Sequence, residues 1–299
     1  MCSPNSSNPK MKSTSFAVLV VCLLGAGIAV LSRLSLPSPE SRFGPVIHEV
    51  QSDFSLIRVR ERGTVRSLLF RDESGLEQCQ SSVDLANPAT LELAYSRGLF
   101  LSFLVRHPQN RALILGLGGG GMVQFLNLRF PETVVEAVEI DPQVVNVAKS
   151  HFGLVETAAT RIHTADAFDF IADGGGVFDA IYFDAFLRAP ESSGLEEKTR
   201  RLKTRRFLAQ VRDRLAPDGV VAFNLIAADS GTEQDLAAIR EVFPGLARFA
   251  VAGSGNQVVI APRDPTDLGQ ATLLQRAKDL DATLGLGPFF RDLVRRRIE

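Results

Sequence analysis

The sequence has few cysteines, almost no net charge and no metal-binding pattern among its histidines. Three cysteines in 299 residues are too few for a fold built on disulfides. Lys and Arg number 33 against 34 Asp and Glu, and the net charge of -1 argues against a nucleic-acid partner, because such proteins carry a basic excess. The four histidines show no metal-ligand spacing, so no metal site is expected. The 22% charged content excludes a broadly disordered chain.

One long uncharged run lies near the amino terminus. Residues 16–31 carry no charge, follow Lys10 and Lys12, and precede a Pro/Ser-rich stretch. A helix of this length would span about 24 Å, slightly short of a hydrocarbon core of about 30 Å. We therefore predict that residues 1–42 are an N-terminal targeting segment and linker. The segment is either a single-pass membrane anchor or a signal peptide that is cleaved after export, and a buried helix is the remaining alternative.

The next part of the chain alternates apolar and polar residues in short runs between turn residues. This period-two pattern predicts a small antiparallel β-domain over residues 43–90. Apolar residues at helical spacing then predict a helix over 91–105. The predicted strands are 46–50, 55–61, 65–71 and 77–81.

From residue 111 onward the pattern changes to alternating strands and helices. Such alternation predicts a parallel sheet covered on both faces, within a domain of residues 91–265. A short Gly/Asn turn joins the last two strands, so these must be antiparallel. Residues 266–299 are predicted to form a helical extension. The predicted strands are 112–115, 134–139, 161–164, 178–183, 220–225, 247–252 and 257–261, and the predicted helices are 122–129, 142–151, 167–172, 206–215 and 232–242.

A glycine-rich loop follows the first strand of this sheet, at the edge where ligands bind in open α/β folds. Five of the six residues 116–121 are glycine. Glycines let the backbone approach a ligand closely and lead into a helix start, whose N–H groups favour polar or anionic groups. The string satisfies G-x-G-x-x-G, which is typical of both dinucleotide and S-adenosylmethionine sites. A simple tight turn is the structural alternative.

Acidic residues follow the next three strands. Glu139 ends the second strand and can accept hydrogen bonds from both hydroxyls of a ribose, whereas Asp141, before Pro142, is predicted to cap the next helix. Asp166 follows the third strand and is either a helix cap or an acceptor for an adenine amino group. Asp184 follows the fully apolar run 180–183, so we expect it to be paired or catalytic.

The chain resembles the spermidine synthases, which are polyamine aminopropyltransferases. It resembles more closely the bacterial spermidine synthase-like proteins and related methyltransferases. The resemblance rests on the strand–GLGGGG–helix unit, VEIDP, HTADAFDFI and FDAIYFDAF, and it runs from about residue 46 to 265. It implies a Rossmann-like class I methyltransferase sheet with an antiparallel final strand, preceded by a small antiparallel β-domain. It also suggests a homodimer.

The resemblance implies roles for individual residues. Tyr95 would line the acceptor pocket, and Asp184 would be the catalytic carboxylate that helps to deprotonate the acceptor amine. The donor would be S-adenosylmethionine or its decarboxylated form. The implied donor-binding residues are Gln78, Gly116, Gly118, Gly119, Glu139 and Asp166.

Two positions depart from the spermidine synthases. Their loop Asp, which holds the free ammonium of decarboxylated S-adenosylmethionine, is Gly119 here, and a second Asp that helps to bind the polyamine is Leu187. An Asp at 119 would repel the carboxylate of intact S-adenosylmethionine, whereas glycine leaves room and backbone N–H donors. We therefore expect methyl transfer to an amine-type acceptor, a small molecule or a protein, rather than aminopropyl transfer.

Two further functions stay open. An NAD-dependent enzyme would explain the glycines and Glu139 but not Asp166, Asp184 or the antiparallel closing pair. A non-catalytic nucleotide-binding module gains support if the domain is exported, because it would then meet no cytoplasmic S-adenosylmethionine. Basic residues in the loop 187–205 form either a solvated helical face or a lid that accepts an acidic or protein substrate.

Overall fold

Two β-sheets organise the computed structural model, which describes residues 39–185, 205–227 and 232–299. The smaller sheet is antiparallel, and its strands pair in chain order. They are β1 (Val46–Gln51), β2 (Leu56–Arg62), β3 (Val65–Arg71) and β4 (Glu77–Asp84). The strands of the larger sheet are β5 (Arg111–Leu115), β6 (Val134–Glu139), β7 (Thr160–Thr164), β8 (Phe178–Phe183), β9 (Leu215–Ile226), β10 (Ala247–Ala250) and β11 (Asn256–Pro262).

The larger sheet has the strand order β10-β11-β9-β8-β5-β6-β7. Strands β5 to β9 are parallel, whereas β11 runs antiparallel to β9 and to β10. The predicted Rossmann-like sheet with an antiparallel end is therefore confirmed. The helices are α1 (Pro39–Phe43), α2 (Ala94–Leu99), α3 (Gly121–Arg129), α4 (Pro142–His151), α5 (Ala167–Ala172), α6 (Arg205–Asp213), α7 (Thr232–Val242), α8 (Gln270–Leu284) and α9 (Phe289–Val294).

Both faces of the larger sheet are buried under helices. Successive side chains of a strand point to opposite faces, so each strand contributes to two apolar layers. Ile114 and Tyr182 belong to one apolar layer, which also includes residues of α8 and α9. Leu115 and Phe183 belong to the other layer, under α6 and α7. A strand that is buried on both faces needs a nearly continuous apolar sequence. This apolar sequence is the signal that made the strands predictable.

Two elements differ from their predicted form. The helix expected over 91–105 begins at Ala94, because Leu93 is still extended, and it continues as a 3₁₀ helix over Phe100–Leu104. All five residues of that 3₁₀ segment are buried, so hydrophobic periodicity could not separate the two helix types. Strand β9 begins at Leu215 rather than at 220: Leu215 pairs with Phe178, and residues 216–219 form an irregularity before the ladder resumes at Val220.

The smaller sheet packs on the larger domain through a separate apolar cluster. Ile57, Leu68 and Val83 from the small sheet meet Val144 and Phe152, from α4 and the residue after it. This packing carries β4 alongside the glycine loop and α3. The small sheet therefore forms one wall of the region where the acidic strand ends meet.

The predicted targeting segment lies outside the described residues, apart from the short helix α1. The described residues 39–44 belong to a unit separate from residues 45–299. Within the ranges that the structure describes, no helix combines the length and the apolar character needed to cross a membrane. The anchor or signal peptide stays a prediction.

Candidate active site

The glycine loop after β5 lies between the end of β8 and the small sheet and approaches both closely. Gly116 has φ +99°, and a Cβ at this residue would lie 2.4 Å from the backbone oxygen of Asp184. Gly118 has φ +54°, and a Cβ there would lie 2.9 Å from Cβ of Ser81 on β4. Real Cβ atoms do not approach other atoms this closely, so both positions require glycine. The loop is therefore more than a simple turn, because it closes tightly on the end of β8.

Gly119 is constrained in a way that the sequence did not indicate. A Cβ at this residue would lie 2.8 Å from Cδ1 of Phe152, whose ring is fully buried. The ring therefore fills the space that a side chain at residue 119 would occupy, and the room for a cofactor carboxylate stays a prediction. The backbone donors remain: within the described ranges, no acceptor bonds the N–H groups of Gly118 and Gly119.

Glu139 is locked beside this loop by backbone donors. Its side chain is buried, Oε2 accepts a hydrogen bond from Leu117 N at 3.0 Å, and Oε1 accepts one from Asp141 N at 3.0 Å. Burial raises the pKa of Glu139. Each carboxylate oxygen can accept a second hydrogen bond, so Glu139 can still bind a pair of hydroxyls. Asp141 caps α4 as predicted, because its side chain accepts a hydrogen bond from Gln143 N at 2.8 Å.

Asp166 caps helix α5. Its Oδ1 accepts a hydrogen bond from Phe168 N at 2.8 Å. One of its two predicted roles is thus confirmed, and adenine recognition stays a prediction. The residue follows β7, which lies two strands away from β5 in the sheet.

Asp184 is held by an amide from the neighbouring strand. Asn224 Nδ2, on β9, donates to Asp184 Oδ1 at 2.9 Å, and Asn256 Nδ2, on β11, donates to Asn224 Oδ1 at 2.9 Å. Burial raises the pKa of Asp184 to about 7, and the charge of Glu139 acts in the same direction, whereas hydrogen bonds from Asn224 and Tyr95 lower it. A carboxyl group with a pKa near neutrality is suited to accept a proton at physiological pH.

Tyr95, on α2, lies beside this site and forms a hydrogen bond with strand β4. Its hydroxyl donates a hydrogen bond to the backbone oxygen of Gln80 at 3.1 Å. Burial, and then the charge of Asp184, raise the pKa of Tyr95 well above its usual value, so it stays a neutral phenol. The residue of β4 that contacts Tyr95 is Gln80, whereas Gln78 lies two positions earlier on the strand, opposite Phe70 of β3.

Asn224 and Asn256 belong to this site although the sequence pattern did not single them out. Asn224 is 2% exposed and is a polar residue inside the apolar run 220–226, the same signal that singled out Asp184. Asn256 was assigned to the turn between the last two strands, although it is the first residue of β11. A polar side chain inside a strand that is buried on both faces needs a partner, and this rule could have found Asn224.

The basic loop and Leu187 fall mostly outside the described residues. Arg205, the first residue of α6, lies 3.5 Å from the carboxylate of Glu241, and both side chains are exposed. His163 contacts the carboxylate of Glu136 at 3.0 Å on the sheet itself. No group of three potential metal ligands occurs within the three described ranges.

Comparison with known proteins decides the family. Residues 92–237 match the spermine/spermidine synthase domain. The polyamine aminopropyltransferase of Chromobacterium violaceum is 33% identical over 233 residues, which cover 77% of this chain and 85% of that protein. The chain belongs to the spermine/spermidine synthase family. The resemblance stated from the motifs is therefore confirmed.

Methyltransferases are also similar to this spermine/spermidine synthase family member. The eEF1A lysine and N-terminal methyltransferase of Homo sapiens is 34% identical over 180 residues, 58% of this chain. The aligned part is only 26% of that protein, so the chain spans about a quarter of this relative. The crystal structure of human methyltransferase-like protein 13 in complex with SAH has a TM-score of 0.57 and 29% identity, covering 64% of this chain and 92% of that one.

Proposed function

We propose that this protein transfers the methyl group of S-adenosylmethionine to an amine-type acceptor, either a small amine or an amino group of a protein. The observation that carries the proposal is Gly119 with the Phe152 ring behind it. No acidic side chain can stand there without displacing a fully buried ring, so the counter-ion for the ammonium of a decarboxylated donor is missing. The human relative named for lysine and N-terminal methylation supports an amine as acceptor.

The residues around the glycine loop fit the intact cofactor. The N–H groups of Gly118 and Gly119 and the start of the nine-residue helix α3 suit a carboxylate, because these donors favour anions. Glu139, held in place by Leu117 N and Asp141 N, has acceptor capacity left for the two ribose hydroxyls. When bound, S-adenosylmethionine supplies an electrophilic methyl group for attack by a nitrogen lone pair.

The remaining side chains prepare the acceptor. An alkyl ammonium has a pKa of about 10 and has no lone pair until it loses a proton. Asp184 takes that proton from the acceptor nitrogen onto its carboxylate and thereby releases the lone pair. Tyr95, which stays protonated, lines the same space and offers a hydroxyl to the acceptor. Burial raises the pKa of Asp184 to about 7, which suits it to this proton transfer.

Calorimetry with both donors tests the proposal. We expect S-adenosylmethionine to bind the full chain more tightly than decarboxylated S-adenosylmethionine. Tighter binding of the decarboxylated form would instead favour aminopropyl transfer, the second candidate. That candidate is supported by the bacterial aminopropyltransferase, of which the alignment covers 85%. The family membership argues against the NAD-dependent alternative.

Substitution of Glu139 tests the donor site. Glu139→Gln is expected to weaken S-adenosylmethionine binding by about 10- to 100-fold, since hydrogen bonds to a charged partner contribute about 1.5–3 kcal/mol. The new amide nitrogen would also face the N–H of either Leu117 or Asp141, and two donors cannot form a hydrogen bond with each other. Glu132→Gln, at an exposed position, serves as the matched control. Equal affinities of the two variants would exclude Glu139 from the donor site.

Substitution of Gly119 tests whether the missing acid can be restored. Gly119→Asp is expected to lower the free energy of unfolding by about 2 kcal/mol, because the new side chain overlaps the Phe152 ring. The same change should cost clearly less in a Phe152→Ala background, which provides space. Denaturant unfolding of the two single variants and the double variant measures this coupling. Additive costs would contradict the contact.

We also propose a single-pass membrane anchor at the amino terminus and a homodimer. An anchor in residues 16–31 would place the domain at a membrane surface. Fractionation of cells that express the full chain, with and without residues 1–42, would test it.

A further inference from the structure

Two asparagines, the buried Asn224 and the half-buried Asn256, connect the carboxylate of Asp184 to strands β9 and β11. We propose that Asn224 and Asn256 are positioning residues that fix the orientation and the ionisation of the Asp184 carboxylate during proton transfer. This inference deepens the proposed function and rests on it for its catalytic meaning. The hydrogen-bonded chain itself runs from Asn256 Nδ2 to Asn224 Oδ1, and from Asn224 Nδ2 to Asp184 Oδ1, with both distances at 2.9 Å.

The two hydrogen bonds have a direction, because an amide has one donating end and one accepting end. Asn224 alone could rotate its amide and present either end to Asp184. The donor from Asn256 occupies Asn224 Oδ1, and in this arrangement the Asn224 N–H faces the carboxylate. An ionised carboxylate accepts hydrogen bonds and cannot donate them, and the arrangement therefore favours the ionised Asp184. One of its oxygens is held, which leaves the other for the acceptor.

Asn256 is itself fixed by the backbone. It is the first residue of β11 and pairs with Ile226 of β9. Its backbone N–H donates to Ser254 Oγ at 3.2 Å, and its backbone oxygen accepts from Val251 N at 3.2 Å. The residue that orients Asn224 thus has its own backbone held on both sides. The antiparallel hairpin places this amide at the edge where the parallel strands end.

Of the other groups that face Asp184, one raises its pKa and another lowers it. Glu139, from β6, raises the pKa of Asp184 by its charge, and burial raises it more strongly. Tyr95, from α2, lowers this pKa through its hydroxyl. That hydroxyl also donates to Gln80 O, and a single proton serves one acceptor at a time. Asn224 is the hydrogen-bond partner that lowers the pKa most, so it is the group that keeps Asp184 from a still higher value.

A direct titration of Asp184 tests the proposal without any acceptor. Carboxyl carbon-13 NMR of the cofactor-free full chain follows each aspartate with pH, and Asp184→Asn identifies the signal. Asn224→Leu should move the pKa of Asp184 upward by about one pH unit or more, as expected for loss of a charge-assisted hydrogen bond. Asn256→Asp should also move it upward, although residue 256 does not bond to Asp184, because the new acceptor would turn the Asn224 amide around.

Asn127→Asp is the control for an added charge that does not contact Asn224. Asn127 Oδ1 accepts a hydrogen bond from Thr160 Oγ1 at 2.8 Å, and a carboxylate keeps that bond. This variant should leave the pKa of Asp184 unchanged. An unchanged pKa in Asn256→Asp would overturn the proposal for the pair, and this variant decides alone if Asn224→Leu does not fold. Failure of S-adenosylmethionine to bind the unmodified chain would overturn the proposed function and leave the titration result intact.

Discussion

Asp184→Asn is expected to abolish turnover and, at the same time, to stabilise the fold at mildly alkaline pH. An amide cannot take the proton of the acceptor, so turnover should fall by about 10²- to 10⁴-fold, the contribution typical of general-base catalysis. Donor binding should persist, because Asp184 is not among the proposed donor ligands, which lie on β4, on β6, in the glycine loop and at the start of α5. The amide oxygen can still accept the hydrogen bond from Asn224.

The gain in stability follows from the pKa of Asp184. Its folded-state value of about 7 lies above the ordinary value of 3.8, so the folded protein holds the proton more tightly than the unfolded chain. This contribution is present in full below about pH 4 and is lost as the pH rises towards 7. Above neutrality the folded state carries a buried, incompletely compensated charge. Its removal should raise the free energy of unfolding by about 2 kcal/mol.

Denaturant unfolding of both proteins from about pH 4 to about pH 8 measures this effect. The advantage of Asp184→Asn should be near zero at the acidic end and should grow with pH. Asp213→Asn, at an exposed helix end, is the matched control and should show no such slope. A variant that turns over normally would exclude Asp184 as the proton acceptor, and an advantage that is independent of pH would contradict the raised pKa.

Gly116→Ala is expected to cause the largest loss of stability among single-atom additions in the glycine loop. The new methyl group would lie 2.4 Å from the backbone oxygen and 2.9 Å from the backbone carbon of Asp184. Backbone atoms cannot swing away as a flexible side chain can, and φ +99° is itself strained for alanine. We expect a loss of about 3 kcal/mol or more, together with displacement of Asp184 and loss of turnover.

Gly63→Ala separates the two causes. Gly63 also has a positive φ, +63°, but a Cβ there meets nothing within 4 Å. This variant should lose only about 1 kcal/mol, the cost of the left-handed backbone for a residue with a Cβ. Thermal unfolding of both variants gives the comparison. Equal losses would show that the close approach of the loop to β8 is not as tight as the structure describes.

The sequence predicts the larger sheet well, because its signals are local. Apolar strands such as 134–139 and 178–183 alternate with helices whose starts are marked by Asp141 and Asp166, and the structure gives these elements the expected bounds. Asn224 could have been found as a polar residue in an apolar run, but its partners Asp184 and Asn256 could not, because they lie 40 and 32 residues away in the chain. The same is true of Phe152, whose effect on Gly119 arises only when α4 packs beside the loop. Long-range packing leaves no local pattern.

The hairpin of β10 and β11 determines where a functional fragment can be cut. The family match ends at residue 237, yet the amide that orients Asn224 belongs to residue 256. The match also begins at residue 92, after the β4 carbonyl that accepts the Tyr95 hydroxyl. A graft of the matched segment alone onto another protein would therefore carry Asp184, Asn224 and Tyr95 without the Asn256 amide and the Gln80 carbonyl that bond to Asn224 and Tyr95. Any transplant of this chemistry needs both flanks.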